Sequence, residues 1–151
     1  MIYNRWYIVL ESKEVKKKSL VGVTRLNERL LFWRDSSGKL VCFHDLCCHR
    51  GASLSIGVHH GDEVACPFHG FRYNSSGRVT LIPANGKSSP VPENFKLNTY
   101  PVKEKLGFIF LWWGEEREIY PELKYFDNID DSFSFRTTKH NWNVHYSRAV
   151  E

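Results

Sequence analysis

Cys47-Cys48-His49-Arg50-Gly51 and Cys66-Pro67-Phe68-His69-Gly70-Phe71-Arg72-Tyr73 are the two stretches on which the reading of this chain turns. Each brings a thiol and an imidazole within four residues and then runs into a glycine, Gly51 in the first and Gly70 in the second. Apolar or alternating runs flank both. Leu40–His44 leads into the first, Glu63–Ala65 precedes the second, and Phe71–Tyr73 follows it. The two motifs therefore fall on connections between strands, where a glycine lets the backbone turn tightly.

Outward from these stretches the same texture continues. Trp6–Leu10, Leu20–Arg25, Leu30–Arg34, Val79–Leu81, Leu97–Lys103 and Phe108–Trp113 read as further short strands. Turn-forming residues separate them at Asn27-Glu28, Asp35–Gly38, His60–Asp62 and Asn74–Gly77. No amphipathic helix is predicted before residue 120. Many short strands at this spacing predict an all-β fold, with antiparallel β-sheets in a sandwich or a small open barrel. Beyond Glu115 the character changes: Phe133–Thr137 alternates like a strand, and Trp142–Glu151 mixes strand and helix signals.

Composition excludes several classes. A length of 151 residues gives room for one ordinary domain with a core and little for a second. Apolar residues make up 42% and charged residues 25%, which excludes a disordered chain. The formal charge of +4 is densest at Lys16-Lys17-Lys18, with Glu11 and Glu14 beside it. Nucleic-acid binding would need a spread basic face with stacking aromatics between the charges, so no nucleic acid is expected as a partner. No membrane is expected either, since the most apolar run, Phe108–Trp113, is much too short to cross one as a helix. Met1–Trp6 lacks the features of a secretory signal, and a cytoplasmic location is the default. Gly86-Lys87-Ser88 does not complete a phosphate loop, because Leu81 stands where that motif needs glycine.

Four cysteines remain to be assigned. Two sulfur and two nitrogen donors, supplied pairwise by two loops, suit a [2Fe–2S] cluster with Cys47 and Cys66 on one iron and His49 and His69 on the other. The same four residues could instead form a tetrahedral zinc site. Cys42, inside an apolar strand, reads as a small buried hydrophobe. Cys48 is left out of the ligand set, because neighbouring side chains of an extended loop point apart. No nucleophile–base pair and no paired carboxylates are evident, so no catalytic residue is assigned.

The run Asp45-Leu46-Cys47-Cys48-His49-Arg50-Gly51-Ala52-Ser53-Leu54-Ser55, a glycine at Gly57, and Cys66–Tyr73 together closely resemble the N-terminal Rieske domain of Rieske-type non-haem iron oxygenases, the ring-hydroxylating and demethylating kind. The likeness extends through Gly77 and Ile82-Pro83 to Pro101–Trp113. It implies the Rieske iron–sulfur fold, with a cluster-binding subdomain of two apposed loops at about 45–73. It also implies cysteines on a buried iron and histidines on an outer one. The resemblance gives a domain at 1–114, and at 115–151 a linker and the start of a truncated oxygenase catalytic domain. Its mononuclear Fe(II) ligands would follow Glu151, leaving His140 and His145 outside any metal site. The implied role is electron transfer to that iron, by a chain that is catalytically silent alone. A ferredoxin or flavin-dependent reductase would be the donor, and the catalytic domain of a neighbouring oxygenase subunit the acceptor. A free-standing Rieske ferredoxin is the alternative. The higher-potential respiratory type carries an extra cysteine after each half-motif and a serine donor. Ala52, Phe68 and Phe71 occupy those places here, which implies a lower potential. Phe68, Phe71 and Leu46 are expected to shield the inner iron.

Overall fold

The computed structural model describes residues 1–129, 132–134, 136–138, 140–145 and 148. Among the described residues, ten strands run in chain order as β1 (Arg5–Glu11), β2 (Val21–Arg25), β3 (Glu28–Arg34), β4 (Leu40–His44), β5 (Val58–His59), β6 (Glu63–Ala65), β7 (Arg72–Asn74), β8 (Val79–Leu81), β9 (Val102–Lys105) and β10 (Phe108–Trp113). They form three antiparallel sheets, ordered β1-β10-β9, β2-β3-β4 and β5-β6-β7-β8. The fold is all-β, as the sequence predicts.

The middle sheet explains the most apolar strand sequences. Side chains alternate across a strand, so Leu30 and Phe32 of β3 face one way while Leu31 and Trp33 face the other. All four are buried. Leu30 and Phe32 pack in one core with Val9, Leu10, Ile109 and Leu111 of the β1-β10-β9 sheet. Leu31 and Trp33 belong to the other core, with Val64, Tyr73 and Leu54. A strand buried on both faces needs an unbroken apolar run, and Leu-Leu-Phe-Trp is one. Each such side chain contributes about 1.5–3 kcal/mol on burial.

Two strand expectations change. Leu97–Lys103 does not form one strand; β9 begins only at Val102. The preceding residues run as a strap that touches the sheets in turn. Lys96 bridges Arg78 and Thr99 bridges Phe43, while the Leu97 N–H donates to Gly77 O and the Tyr100 N–H to Cys42 O. Pro101, which has no N–H to give a ladder, marks the break. β5 was not foreseen, since two residues carry no readable period. The described residues of Phe133–Thr137 form no strand, and Phe135 lies outside the described residues. Of Trp142–Glu151, residues 146, 147 and 149–151 also lie outside them.

The chain divides into two compact units, Met1–Tyr120 and Pro121–Glu151. In the first, Trp112 Nε1 donates to Glu115 O at 2.9 Å, and the Tyr120 ring lies 5.5 Å from Trp112 and 6.1 Å from Trp6. These contacts hold the stretch after β10 against its own sheet. Among the described residues no helix is long and apolar enough to cross a membrane.

Candidate metal centre

Two loops at the ends of β4 and β6 carry the motif residues, and they are built alike. In the first, Cys47 N–H donates to Ala52 O and Gly51 N–H donates back to Cys47 O, both at 2.8 Å. In the second, Cys66 N–H donates to Phe71 O at 2.8 Å and Gly70 N–H to Cys66 O at 3.1 Å. Gly51 and Gly70 sit at φ 70° and 69°, a left-handed conformation that costs other residues about 1–2 kcal/mol. The glycine ending each motif is thus what closes each turn.

The twin turns bring the four singled-out residues together as two pairs. Cys47 and Cys66 are each only 4% exposed, and their thiols lie beside one another. Burial pushes the Cys66 thiol up from its usual range, opposed by backbone N–H groups of Phe68 and His69 that point at its sulfur. His49 and His69 are exposed, with ring centroids 4.8 Å apart. Among the described residues no group of three His, Cys, Asp or Glu side chains is placed to hold one metal ion.

The surroundings fix these pairs. The buried Phe71 ring stacks on His49, 4.9 Å between centroids and 3° from parallel. Asp45, 6% exposed, accepts the Ser55 N–H at 2.7 Å and the Ser55 hydroxyl at 2.6 Å, tying the first loop to the turn at Leu54–Ile56. The turn that this carboxylate holds lies ten residues on in the chain. Phe68 is 73% exposed and so shields nothing, against expectation, whereas Phe71 and the half-buried Leu46 remain inward. Cys42 is buried as read, and burial raises its thiol well above the usual range.

Sequence reasoning missed Tyr73. Its hydroxyl, fully buried, lies 3.0 Å from Cys47 Sγ and 3.3 Å from Cys48 Sγ, and accepts the Cys48 N–H at 3.3 Å. Burial above all, then Cys47 and Cys48, drives the phenol far above its ordinary pKa, so it stays a protonated donor. The signal was available: period-two alternation puts Tyr73 on the face of Phe71. The expectation that Cys47 and Cys48 point apart also fails. Residues 48–50 form a turn, not an extended loop, and both sulfurs reach one hydroxyl. His140 and His145, set aside from the sequence, are exposed in the second unit.

Three antiparallel sheets with twin glycine-closed loops define an all-β iron–sulfur type of domain. Comparison makes this specific: residues 5–101 match the Rieske [2Fe-2S] domain, and the chain belongs to that family. It is 35% identical over 132 residues to the toluene-4-sulfonate monooxygenase system iron-sulfur subunit TsaM1 of Comamonas testosteroni, a match spanning 87% of this chain and 36% of that protein. It is 34% identical over 113 residues to the oxidoreductase NdmD of Pseudomonas putida, over 74% of this chain and 19% of that one. Among solved structures, the reduced complex between oxygenase and ferredoxin in carbazole 1,9a-dioxygenase superposes with a TM-score of 0.67 at 34% identity, over 76% of this chain and 30% of that one. The chain thus spans a third or less of the solved chain and a fifth to about a third of these curated relatives.

Proposed function

We propose that Cys47 and Cys66 bind one iron of a [2Fe–2S] cluster and His49 and His69 the other, and that the domain passes single electrons within an oxygenase system. The pairing of two buried thiols and two exposed imidazoles on twin turns carries this reading. The donors fit the group: thiols and imidazoles stand as separate pairs, as two irons with two protein ligands each require. A single tetrahedral zinc would need all four to converge.

When bound, the cluster supplies a one-electron couple whose imidazole ligands place it above all-cysteine clusters in potential. The chain's own residues do the rest. Burial of Cys47 and Cys66 keeps water from the sulfur side, and the N–H groups of Phe68 and His69 with the Tyr73 hydroxyl stabilise negative charge there. The exposed edges of His49 and His69 give the electron its way in and out, and stacking on Phe71 holds the plane of His49. With Ala52, Phe68 and Phe71 where the respiratory type has its two extra cysteines and its serine, the potential lies below the top of the Rieske range.

Donor and acceptor follow by analogy: a ferredoxin or flavin-dependent reductase upstream, and a mononuclear iron oxygenase centre downstream. The relative named as the iron–sulfur subunit of a monooxygenase system, and the solved complex of oxygenase with ferredoxin, favour a separate electron-transfer component. A second reading, a domain continuous with its own catalytic iron domain, draws on the chain's spanning only 36% of that subunit. The mass of the polypeptide isolated from its native cells separates them: near 17.7 kDa for the carrier, much larger for the fused form. Reduced protein given oxygen and aromatic substrates is expected to reoxidise without forming product. Product formation by these residues alone would overturn the electron-transfer assignment.

A further inference from the structure

We propose that Cys48 is a positioning residue: its backbone N–H and its thiol together aim the Tyr73 hydroxyl at Cys47 Sγ, and so raise the reduction potential of the cluster. The inference rests on the reading of Cys47 as an iron ligand and goes beyond it.

A phenol oxygen has one proton to give and two lone pairs to fill. The Cys48 N–H, at 3.3 Å, fills the first lone pair. Two sulfurs then compete for the proton, Cys47 at 3.0 Å and Cys48 at 3.3 Å. A cysteine bound to iron has lost its proton and can only accept, so the Tyr73 O–H goes to Cys47. With the phenol proton committed to Cys47, the 3.3 Å contact leaves the Cys48 S–H as the donor into the second lone pair. Every donor and acceptor is used once, in a buried position where water cannot substitute: Tyr73 is 0% exposed.

The consequence is electrical. Two hydrogen bonds received by the Tyr73 oxygen polarise its O–H and strengthen the bond it gives. A donor on a cluster sulfur favours the more negative, reduced state. Removing the Cys48 thiol weakens that donor. Replacing Cys48 by proline, which has no N–H, removes both supports. Cys48 itself is exposed, so neither change opens a cavity in the core.

The test is the midpoint potential of the reconstituted chain, measured by spectroelectrochemistry at fixed pH with iron and sulfide contents determined alongside. Cys48→Ala is expected to shift the potential downward and Cys48→Pro further downward, while Cys48→Ser, which restores a donor, stays near wild type. Tyr73→Phe is expected to lie lowest, and adding Cys48→Ala to it should produce no further shift, because the thiol acts only through the hydroxyl. A Cys48→Ala protein with full cluster and wild-type potential would overturn the proposal. An equal downward shift with and without the Tyr73 hydroxyl would overturn it too. Loss of the cluster in Cys48→Ala with retention in Cys47→Ala would instead sink the ligand assignment on which it rests.

Discussion

Removing any one of the four proposed ligands leaves an iron without a donor that no neighbour can replace in the same geometry. Cys47→Ala and Cys66→Ala are expected to abolish the cluster's visible absorption after reconstitution, and His49→Ala or His69→Ala to abolish it or leave an unstable, altered species. Cys48→Ala should keep it. A colourless Cys48→Ala beside a coloured Cys47→Ala would make Cys48 the ligand in place of Cys47. Asp45 makes a different contribution at this scale. Its buried carboxylate takes two hydrogen bonds from Ser55, and Asp45→Ala is expected to cost about 2–3 kcal/mol, read as a lowered midpoint in denaturant unfolding. An unchanged midpoint would mean that the Asp45–Ser55 contact does not hold the loop. The four candidate ligands and both turn glycines were legible in the sequence because donor type and spacing are local properties. The face that Tyr73 occupies was readable from alternation, but its contact with Cys47, twenty-six residues away, was not, because it depends on how the loop after β4 packs into the core beside β7.

Strands and turns impose their own tests. Gly57, at φ −84°, is needed for space, not for backbone freedom: a Cβ there would overlap the Ala65 carbonyl oxygen and approach that of Leu54 to 2.9 Å. Ala65 precedes Cys66, so the strain would pass into the second loop. Gly57→Ala is expected to cost about 1–3 kcal/mol and to lower cluster occupancy, checked by thermal unfolding and iron content. Between sheets, Arg34 of β3 grips both carboxylate oxygens of Glu104 on β9, at 2.6 and 2.9 Å. The Arg34 hydrogen bond holds the Glu104 carboxyl below its ordinary value of 4.5. A depressed carboxylate contributes stability that is present above the unfolded value and lost as pH falls through the folded one. Glu104→Gln should therefore flatten the fall in stability below about pH 4.5, while costing only about 0.5–1 kcal/mol at neutral pH because solvent screens the pair. A fall in stability unchanged by the substitution would mean that the Arg34–Glu104 pair does not stabilise the fold. Strand positions were legible wherever an apolar run stood between turn residues, as at β4, β6, β8 and β10. The strap at residues 96–101 was not, since its pairing switches sheets and its local pattern still reads as strand.

At the scale of the whole molecule, the family and the all-β architecture follow from two loops and the sheets that hold them. The sandwiching of β2-β3-β4 between two cores gives those loops a rigid base, which two apposed pairs of candidate ligands require. A mixed thiolate–imidazole two-iron cluster is put to the test by metal and acid-labile sulfide analysis joined to low-temperature electron paramagnetic resonance of the anaerobically reconstituted protein. Two irons and two sulfides per chain are expected, and on dithionite reduction the signal of a [2Fe–2S] cluster with two histidine ligands. A colourless protein holding one zinc and no sulfide, silent on reduction, would contradict it.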